Sequence, residues 1–141
     1  MKNIFLLCCI ALISCEVSVN KQNNATDIET AKEMSNNFYK LIKEKKFKDA
    51  SKYFGSTVGY EDGLKILENV NNHIGDLDTA IYLSGNSNTT LSSKQNRAEY
   101  VFNFKAIYSK MSATEEMVIE LINDSLKITG YHPRVTVPPS N

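Results

Sequence analysis

The sequence predicts a single α+β domain in which helices precede an antiparallel sheet, because the spacing of apolar residues changes along the chain. Between Ile28 and Ile42 apolar residues recur every three or four positions, as on one face of an α-helix. From Arg97 to Tyr108 the period falls to two, as in a strand with one buried face. The length of 141 residues is that of one ordinary domain.

The composition excludes several classes of protein. The 16 Lys and Arg residues balance 16 Asp and Glu residues, so a strongly basic nucleic-acid binder is excluded and no nucleic-acid partner is expected. Apolar residues make up 42% and charged residues 23% of the chain, which is close to ordinary globular usage. A wholly disordered chain is therefore excluded as well.

The N-terminus is typical of a signal for export. Lys2 precedes ten apolar residues, Ile4 to Ile13. A helix of that length covers about 15 Å, half of the roughly 30 Å hydrocarbon core, so the segment is too short to span a bilayer. A positive charge followed by a short apolar run is the pattern of a secretory signal peptide, and we assign it to residues 1–14.

The end of this apolar run resembles the lipobox of bacterial lipoproteins. It reads Leu12-Ile13-Ser14-Cys15. The resemblance implies that Cys15 receives a diacylglycerol group and becomes the first residue of the mature chain. The membrane is then a partner through acylated Cys15, and the protein is lipid-anchored in the cell envelope, facing the periplasm or the exterior. The alternative is an ordinary signal peptide in which this cysteine is incidental.

The cysteine positions limit the chemistry of the rest of the chain. All three cysteines lie at or before position 15. A disulfide scaffold, a CxxC redox pair and a cysteine zinc site are therefore excluded after this residue.

Three segments are predicted after the signal peptide. Residues 15–25 are polar, asparagine-rich and aperiodic, and are interpreted as a flexible tether of roughly 17 Å. Residues 26–132 form the α+β domain. Residues 133–141 contain all three prolines and are expected to be an extended or loose tail.

Three helices are predicted at the start of the domain. The first begins at Thr26, whose hydroxyl and the carboxylate three residues later fit a capping box. A short second helix covers 47–54. The third runs from about Tyr60 to Ile74, and Gly75 follows as a stop signal.

The remainder of the domain is predicted to form strands. A short stretch at 80–83 is followed by a polar segment, 85–96, which we interpret as a long hairpin connection. Clear strands follow at 97–108, 113–122 and 126–131.

The strand at 97–108 predicts a buried aromatic face. Alternation places Tyr100, Phe102, Phe104 and Tyr108 on the same side. Together with Phe38 of the first helix, these are the candidate lining of a small apolar pocket, although a plain hydrophobic core is the simpler interpretation.

The order of elements resembles the cone-shaped folds of the nuclear transport factor 2 superfamily. Ala31, Phe38, Leu41 and the segment 47–54 are similar to the first helical pair of small bacterial members, and 123–132 is similar to their closing hairpin. The resemblance covers roughly 28–132. It implies a strongly curved sheet of about four strands around the first helix, a cone-like roll whose open end can hold a ligand. Many such members are secreted proteins or lipoproteins of unknown function.

Catalysis is not expected from the sequence. Enzymes of this fold that resemble ketosteroid isomerase need a carboxylate base and an acidic donor inside the cone. The apolar face of the strand at 97–108 carries no carboxylate, and Glu115 lies on the apolar face of the next strand but at its end. Tyr100 or Tyr108 could donate to an oxyanion, yet neither has an evident base as partner.

Metal ions and other cofactors are not expected either. His73 and His132 are the two histidines of the chain, and no acidic residues accompany them at ligand-like spacing. His73 is expected in the last turn of a helix, and His132 at the surface.

The sequence therefore predicts a non-catalytic, lipid-anchored binding module for a partner protein or a small apolar ligand. One alternative is a homodimeric structural or interaction module with a filled cone, whose outer sheet face supplies apolar area from Val101, Ile107, Val118 and Ile122. Another alternative is an enzyme of the ketosteroid-isomerase type acting on a small hydrophobic substrate. The enzyme would require a buried Asp or Glu inside the cone.

Overall fold

The computed structural model of the protein describes residues 19–22, 25–91, 96–122 and 124–136. Helices precede a curved, unclosed antiparallel sheet, so the predicted α+β class is confirmed. The predicted signal peptide, Cys15 and the end of the proline-containing tail lie outside the described residues. No helix within the described ranges combines the length and the apolar character needed to cross a bilayer.

Three helices form the first half of the domain. Helix α1 spans Ala25–Lys43, and the short helix α2 spans Phe47–Ala50 and continues as a 3-10 turn over Ser51–Tyr53. Helix α3 spans Tyr60–Ile74, as predicted. It stops at Gly75, whose φ of 95° lies in the region that glycine tolerates best.

The sheet contains five strands in the order β1-β2-β3-β4-β5, and every neighbouring pair is antiparallel. A short first strand lies at one edge of the sheet, and the four long strands follow. Their bounds are β1 Val19–Gln22, β2 Leu77–Leu91, β3 Asn96–Tyr108, β4 Ser112–Ile122 and β5 Ser125–Thr136.

The prediction of a long connection at 85–96 was wrong, because residues 85–91 continue strand β2. Gly85 pairs with Phe102, and the register continues to Leu91 opposite Asn96. Asparagine and glycine are poor strand formers on composition alone, but here main-chain pairing with β3, and at residues 88–91 also with β1, outweighs that preference.

Both ends of the domain also differ from their predicted bounds. Strand β1 falls inside the segment 15–25, where it pairs with the far end of β2, so this part is a sheet edge rather than free coil. Strand β5 continues to Thr136 through Pro133. Proline is tolerated there because β5 is the edge strand of the sheet, and its described contact on the outer side, the bridge from Phe54 to Ile128, lies away from Pro133.

The core lies between α1 and the inner face of the sheet. The inner face predicted for β3 is confirmed, because all its aromatic residues are buried. Other inner residues are Met117, Ile119 and Ile128, each with no exposed side-chain area. The aromatic rings pack edge to face, as in the pair Tyr39–Phe104 with 4.8 Å between centroids. Buried core residues are Ala31, Phe38, Ile42, Ala50, Phe54, Leu67, Ile74, Ala98, Tyr100, Phe102, Phe104, Ala106 and Tyr108.

The absence of a side chain at Gly85 of β2 leaves room for neighbouring aromatic side chains to pack. A Cβ atom built on Gly85 would overlap the Phe102 ring and lie 2.7 Å from the Tyr82 hydroxyl oxygen. We therefore expect Gly85→Ala to lower the free energy of unfolding by about 1–3 kcal/mol through overpacking. Urea denaturation followed by far-ultraviolet circular dichroism measures this loss.

The matched control is Asn86→Ala, at the exposed neighbouring position of the same strand. Asn86→Ala should change the free energy of unfolding by no more than about 0.5 kcal/mol. Equal losses in the two variants would contradict a steric origin.

Candidate functional site

A glutamate is buried in the sheet near the start of β4. Residues 113, 115, 117 and 119 of this strand point inward by alternation, and Glu115 is one of them. Its side chain has no exposed area. The residues opposite it are Phe104 on β3 and Pro133 on β5, neither of which carries a charge.

Three tyrosines from three elements donate hydrogen bonds to this carboxylate. The Tyr39 hydroxyl on α1 and the Tyr131 hydroxyl on β5 each donate to Oε2 at 2.8 Å. The Tyr108 hydroxyl on β3 donates to Oε1 at 2.5 Å. We call Glu115 with these three tyrosines the tyrosine–glutamate cluster, and it connects α1, β3, β4 and β5.

The strand register explains why these side chains meet. Tyr108 and Glu115 lie on the two strands of the β3–β4 hairpin, and Tyr131 pairs with Met117, two positions along β4 from Glu115. Tyr131 is thus a diagonal neighbour of Glu115, a position within reach of an aromatic side chain, whereas Tyr108 lies four positions from Phe104, the residue opposite Glu115. Tyr39 comes from the helix above, where its ring packs on Phe104.

Burial dominates the electrostatics of the cluster. It raises the pKa of the Glu115 carboxyl, and the hydrogen bonds from Tyr108, Tyr131 and Tyr39 offset this only in part. Burial and the nearby carboxylate also raise the pKa of Tyr39 and Tyr131 well above the ordinary value and raise the pKa of Tyr108. The tyrosines therefore stay protonated and remain donors.

Chemically, this is a carboxyl group surrounded by hydroxyl donors in an apolar shell. No lysine, arginine or histidine is among its described hydrogen-bond partners. Because burial raises its pKa, this carboxyl group holds its proton to a higher pH than an exposed carboxyl group does. The three tyrosine hydroxyl groups already donate hydrogen bonds to both oxygens of the Glu115 carboxylate.

The five residues proposed to line a pocket are all buried in the core. Phe38, Phe102 and Phe104 are at most 2% exposed, and Tyr100 and Tyr108 at most 5%. Their rings contact other rings, as in the pairs Tyr100–Phe102 and Phe102–Phe104. Of these five residues, Tyr108 also lines the surface groove described next.

An open groove of about 520 Å³ lies at the β3–β4 turn, and the strand residues of its lining that are exposed on the outer face of the sheet include Lys105 and Thr114. We call it the turn groove. Strands β2, β3, β4 and β5 and the turn between β3 and β4 all contribute to it. Its lining includes Leu83, Lys105, Lys110, Met111, Thr114 and Thr136.

The groove combines apolar and basic groups. Leu83 is 53% exposed and Met111 is 41% exposed, so both side chains present apolar surface to solvent. Lys105 and Lys110 contribute two positive charges, and no aspartate or glutamate is part of the lining.

Other residues singled out from the sequence lie apart from both features. Val101, Ile107, Val118 and Ile122 are partly exposed on the outer sheet face.

Neither histidine joins a ligand cluster in the structure. The Nδ1 atom of His73 lies 2.7 Å from the main-chain oxygen of Asn69, and His132 is exposed opposite Glu116 on the neighbouring strand. Among the described residues no cluster of His, Cys, Asp and Glu could hold a metal ion.

The sequence reasoning noted Glu115 on the inner face of its strand but missed its partners. Tyr39 and Tyr131 belong to elements far apart in sequence, so no local pattern brings them together. A signal was available, however, since an acidic residue on an otherwise apolar strand face requires polar partners.

Comparison of the chain with protein-family models, with curated proteins and with solved structures gave no match. The tyrosine–glutamate cluster and the turn groove are therefore interpreted from their own geometry.

The raised pKa of Glu115 makes a definite prediction about stability. Between the unfolded pKa of about 4.3 and the higher folded pKa, the folded state binds more protons than the unfolded state. This contribution to stability is complete below the unfolded pKa and is lost as the pH rises through the folded pKa. We expect wild type to lose stability relative to Glu115→Gln across this interval, by up to about 1.4 kcal/mol per pH unit.

Urea denaturation of both proteins at several pH values between 4 and 8 measures this difference. The matched control is Glu116→Gln, which removes a negative charge from the outer face of the same strand. A constant difference between wild type and Glu115→Gln over the whole range would contradict the assigned direction of the shift.

Proposed function

We propose that this chain is a lipid-anchored, non-catalytic binding module of the cell envelope. Acylated Cys15 attaches it to a membrane, and the turn groove on the outer side of the sheet binds its partner. The single observation that supports an outer binding surface is the contrast between the aromatic interior and the open groove. The interior residues fill the space with one another, whereas Leu83 and Met111 are left exposed.

The packing of the inner face supports this choice over a ligand inside the cone. Phe38 makes edge-to-face contacts with four rings at centroid distances of 5.6 to 6.2 Å. Phe102 lies against Tyr82 and Phe104 at similar distances. A guest molecule would have to displace these contacts, because protein interiors are packed as densely as organic crystals.

Attachment follows from the lipobox resemblance and from simple energetics. Each buried methylene of an acyl chain contributes about 0.8 kcal/mol, and a single chain holds a protein only marginally. Two or more chains on Cys15 would hold the domain at a membrane for long periods without a spanning helix.

Replacement of Cys15 tests the anchor. We expect wild type to fractionate with membranes and to incorporate radiolabelled palmitate, and Cys15→Ala to do neither. Cys9→Ala is the matched control, since it changes a cysteine in the predicted signal peptide and should leave both results intact. Unchanged fractionation and labelling in Cys15→Ala would overturn lipid anchoring.

A second candidate, an isomerase that moves a proton next to a carbonyl group, is supported by one observation. Glu115 is a buried carboxylate with hydroxyl donors around it, which is the combination that such chemistry needs. It is the weaker candidate because the three hydroxyls already donate to Glu115 itself.

Deuterium exchange distinguishes the two candidates. We expect the protein not to accelerate exchange of the protons next to the carbonyl of a small cyclic ketone in D2O, measured by proton NMR. Exchange that wild type catalyses and Glu115→Gln does not would favour the isomerase and contradict the binding module.

A further inference from the structure

We propose that the turn groove binds an acidic segment of a partner protein that places an apolar side chain next to a carboxylate. This proposal deepens the proposed function, on which it rests, by naming the chemistry of the partner. It depends on the charges that line the groove, on its exposed apolar side chains and on its position in the fold.

The lysines of the groove have no acidic partner among the described residues. Lys105 is exposed on the outer face of β3 and forms no described ion pair. Lys110 donates a hydrogen bond at 3.1 Å to the main-chain oxygen of Asn72, in the last turn of α3, and forms no described ion pair with a carboxylate.

Two acids near this end of the sheet are paired with lysines. Asp76 lies 2.7 Å from the ammonium group of Lys45, and Asp78 lies 3.8 Å from that of Lys43. Neither carboxylate is part of the groove lining. The positive charge of the groove is therefore available to a partner.

A third positive charge lies beside the groove. Lys105 pairs with Thr114, and Thr114 pairs with Arg134 on β5. The two basic residues are thus two strand spacings apart, about 10 Å, on the same outer face. Glu116, the next outward residue of β4, is not part of the groove lining. A surface with charges of one sign attracts a partner of the opposite sign and speeds their encounter.

The exposed apolar side chains of the turn groove explain why the partner segment must also carry an apolar side chain. Leu83 and Met111 line the same groove as the lysines, and both are more than two-fifths exposed. A partner side chain that covers them removes apolar surface from water. Methionine adapts its shape to different guests, which suits a surface that accepts a peptide side chain.

The shape of the groove favours a peptide segment over a small molecule. Sites for small molecules enclose most of the ligand surface, whereas this groove is open to solvent. A chain segment can lie across an open groove and insert only the side chains that match it.

The position of the groove favours a protein over the membrane. Strand β1 pairs Val19 with Leu91, so the chain leading back to Cys15 leaves the sheet at the β2–β3 end. The four residue steps from Cys15 to Val19 span at most about 14 Å. The turn groove lies at the other end of β3, a strand of 13 residues that extends about 40 Å. The groove is therefore at the end of the domain opposite to the proposed anchor.

Fluorescence anisotropy with a defined probe tests the proposal. The probe is a short labelled peptide that alternates glutamate and leucine, and the protein is the full chain in detergent micelles. Two comparison peptides replace glutamate by lysine or leucine by serine. We expect the first peptide to bind and both comparison peptides to bind at least about tenfold more weakly.

Charge and apolar variants locate the binding surface. Lys105→Glu and Lys110→Glu should each weaken binding about tenfold, and Leu83→Ser should weaken it without any change of charge. Lys48→Glu is the matched control, since it reverses an exposed lysine on α2 and should change affinity less than twofold. Far-ultraviolet circular dichroism confirms that each variant is folded.

Several results would overturn the proposal. They are the absence of peptide binding, equal binding of the lysine peptide, and binding that none of the groove variants alters. Preference for vesicles of phosphatidylglycerol and phosphatidylcholine over the peptide would indicate a membrane surface instead. Self-association in analytical ultracentrifugation that Lys105→Glu abolishes would indicate a second copy of the chain. Loss of lipid anchoring with retained peptide binding would overturn the anchor alone.

Discussion

The fold depends on a buried carboxyl group that has hydroxyl partners and no described cationic partner. Burying a carboxyl group in an apolar core is unfavourable unless hydrogen bonds compensate for lost hydration. Glu115 receives three, from tyrosines on α1, β3 and β5. Because each donor comes from a different element, the compensation is complete only when the helix and the sheet are correctly docked. The cluster thus makes the register of the sheet and the position of α1 depend on each other.

The same packing makes the interior an unfavourable place for a binding site. Tyr39 and Tyr131 lie in contact with the rings of Phe104 and Phe38, so the polar cluster is continuous with the aromatic core. Opening a cavity there would break hydrogen bonds and ring contacts together. The outer side of the sheet carries no such penalty, and it is there that large apolar side chains remain exposed.

The elements with strong periodicity could be predicted from the sequence. Helix α3 has apolar residues on one face and a glycine at its end, and strand β3 alternates without interruption, so both were recognised almost to the residue. Local preference and tertiary environment agree in these segments.

The other parts of the fold and of the candidate site could not be predicted from local sequence, because they depend on tertiary contacts. The polar half of β2 is a strand because β1 and β3 pair with it. Strand β1 in turn forms because it pairs with β2. In the same way, the hydrogen bonds of the tyrosine–glutamate cluster connect residues up to 76 positions apart. One residue of the candidate site, Glu115, was visible in the alternation of β4, but its role could be assigned only after α1 and β5 were placed beside it. The turn groove could not be anticipated, since four strands contribute to it.

In the proposed arrangement the two ends of the sheet have different tasks. The end near Val19 and Leu91 is close in sequence to Cys15, whereas the end near the β3–β4 turn collects unpaired lysines and exposed apolar side chains. A rigid sheet between them acts as a spacer, because its length is set by paired strands rather than by a flexible linker. The tyrosine–glutamate cluster sits at the groove end, where Tyr108 belongs both to the cluster and to the groove lining. The interaction that orders the core therefore also holds in place the strands that form the proposed binding surface.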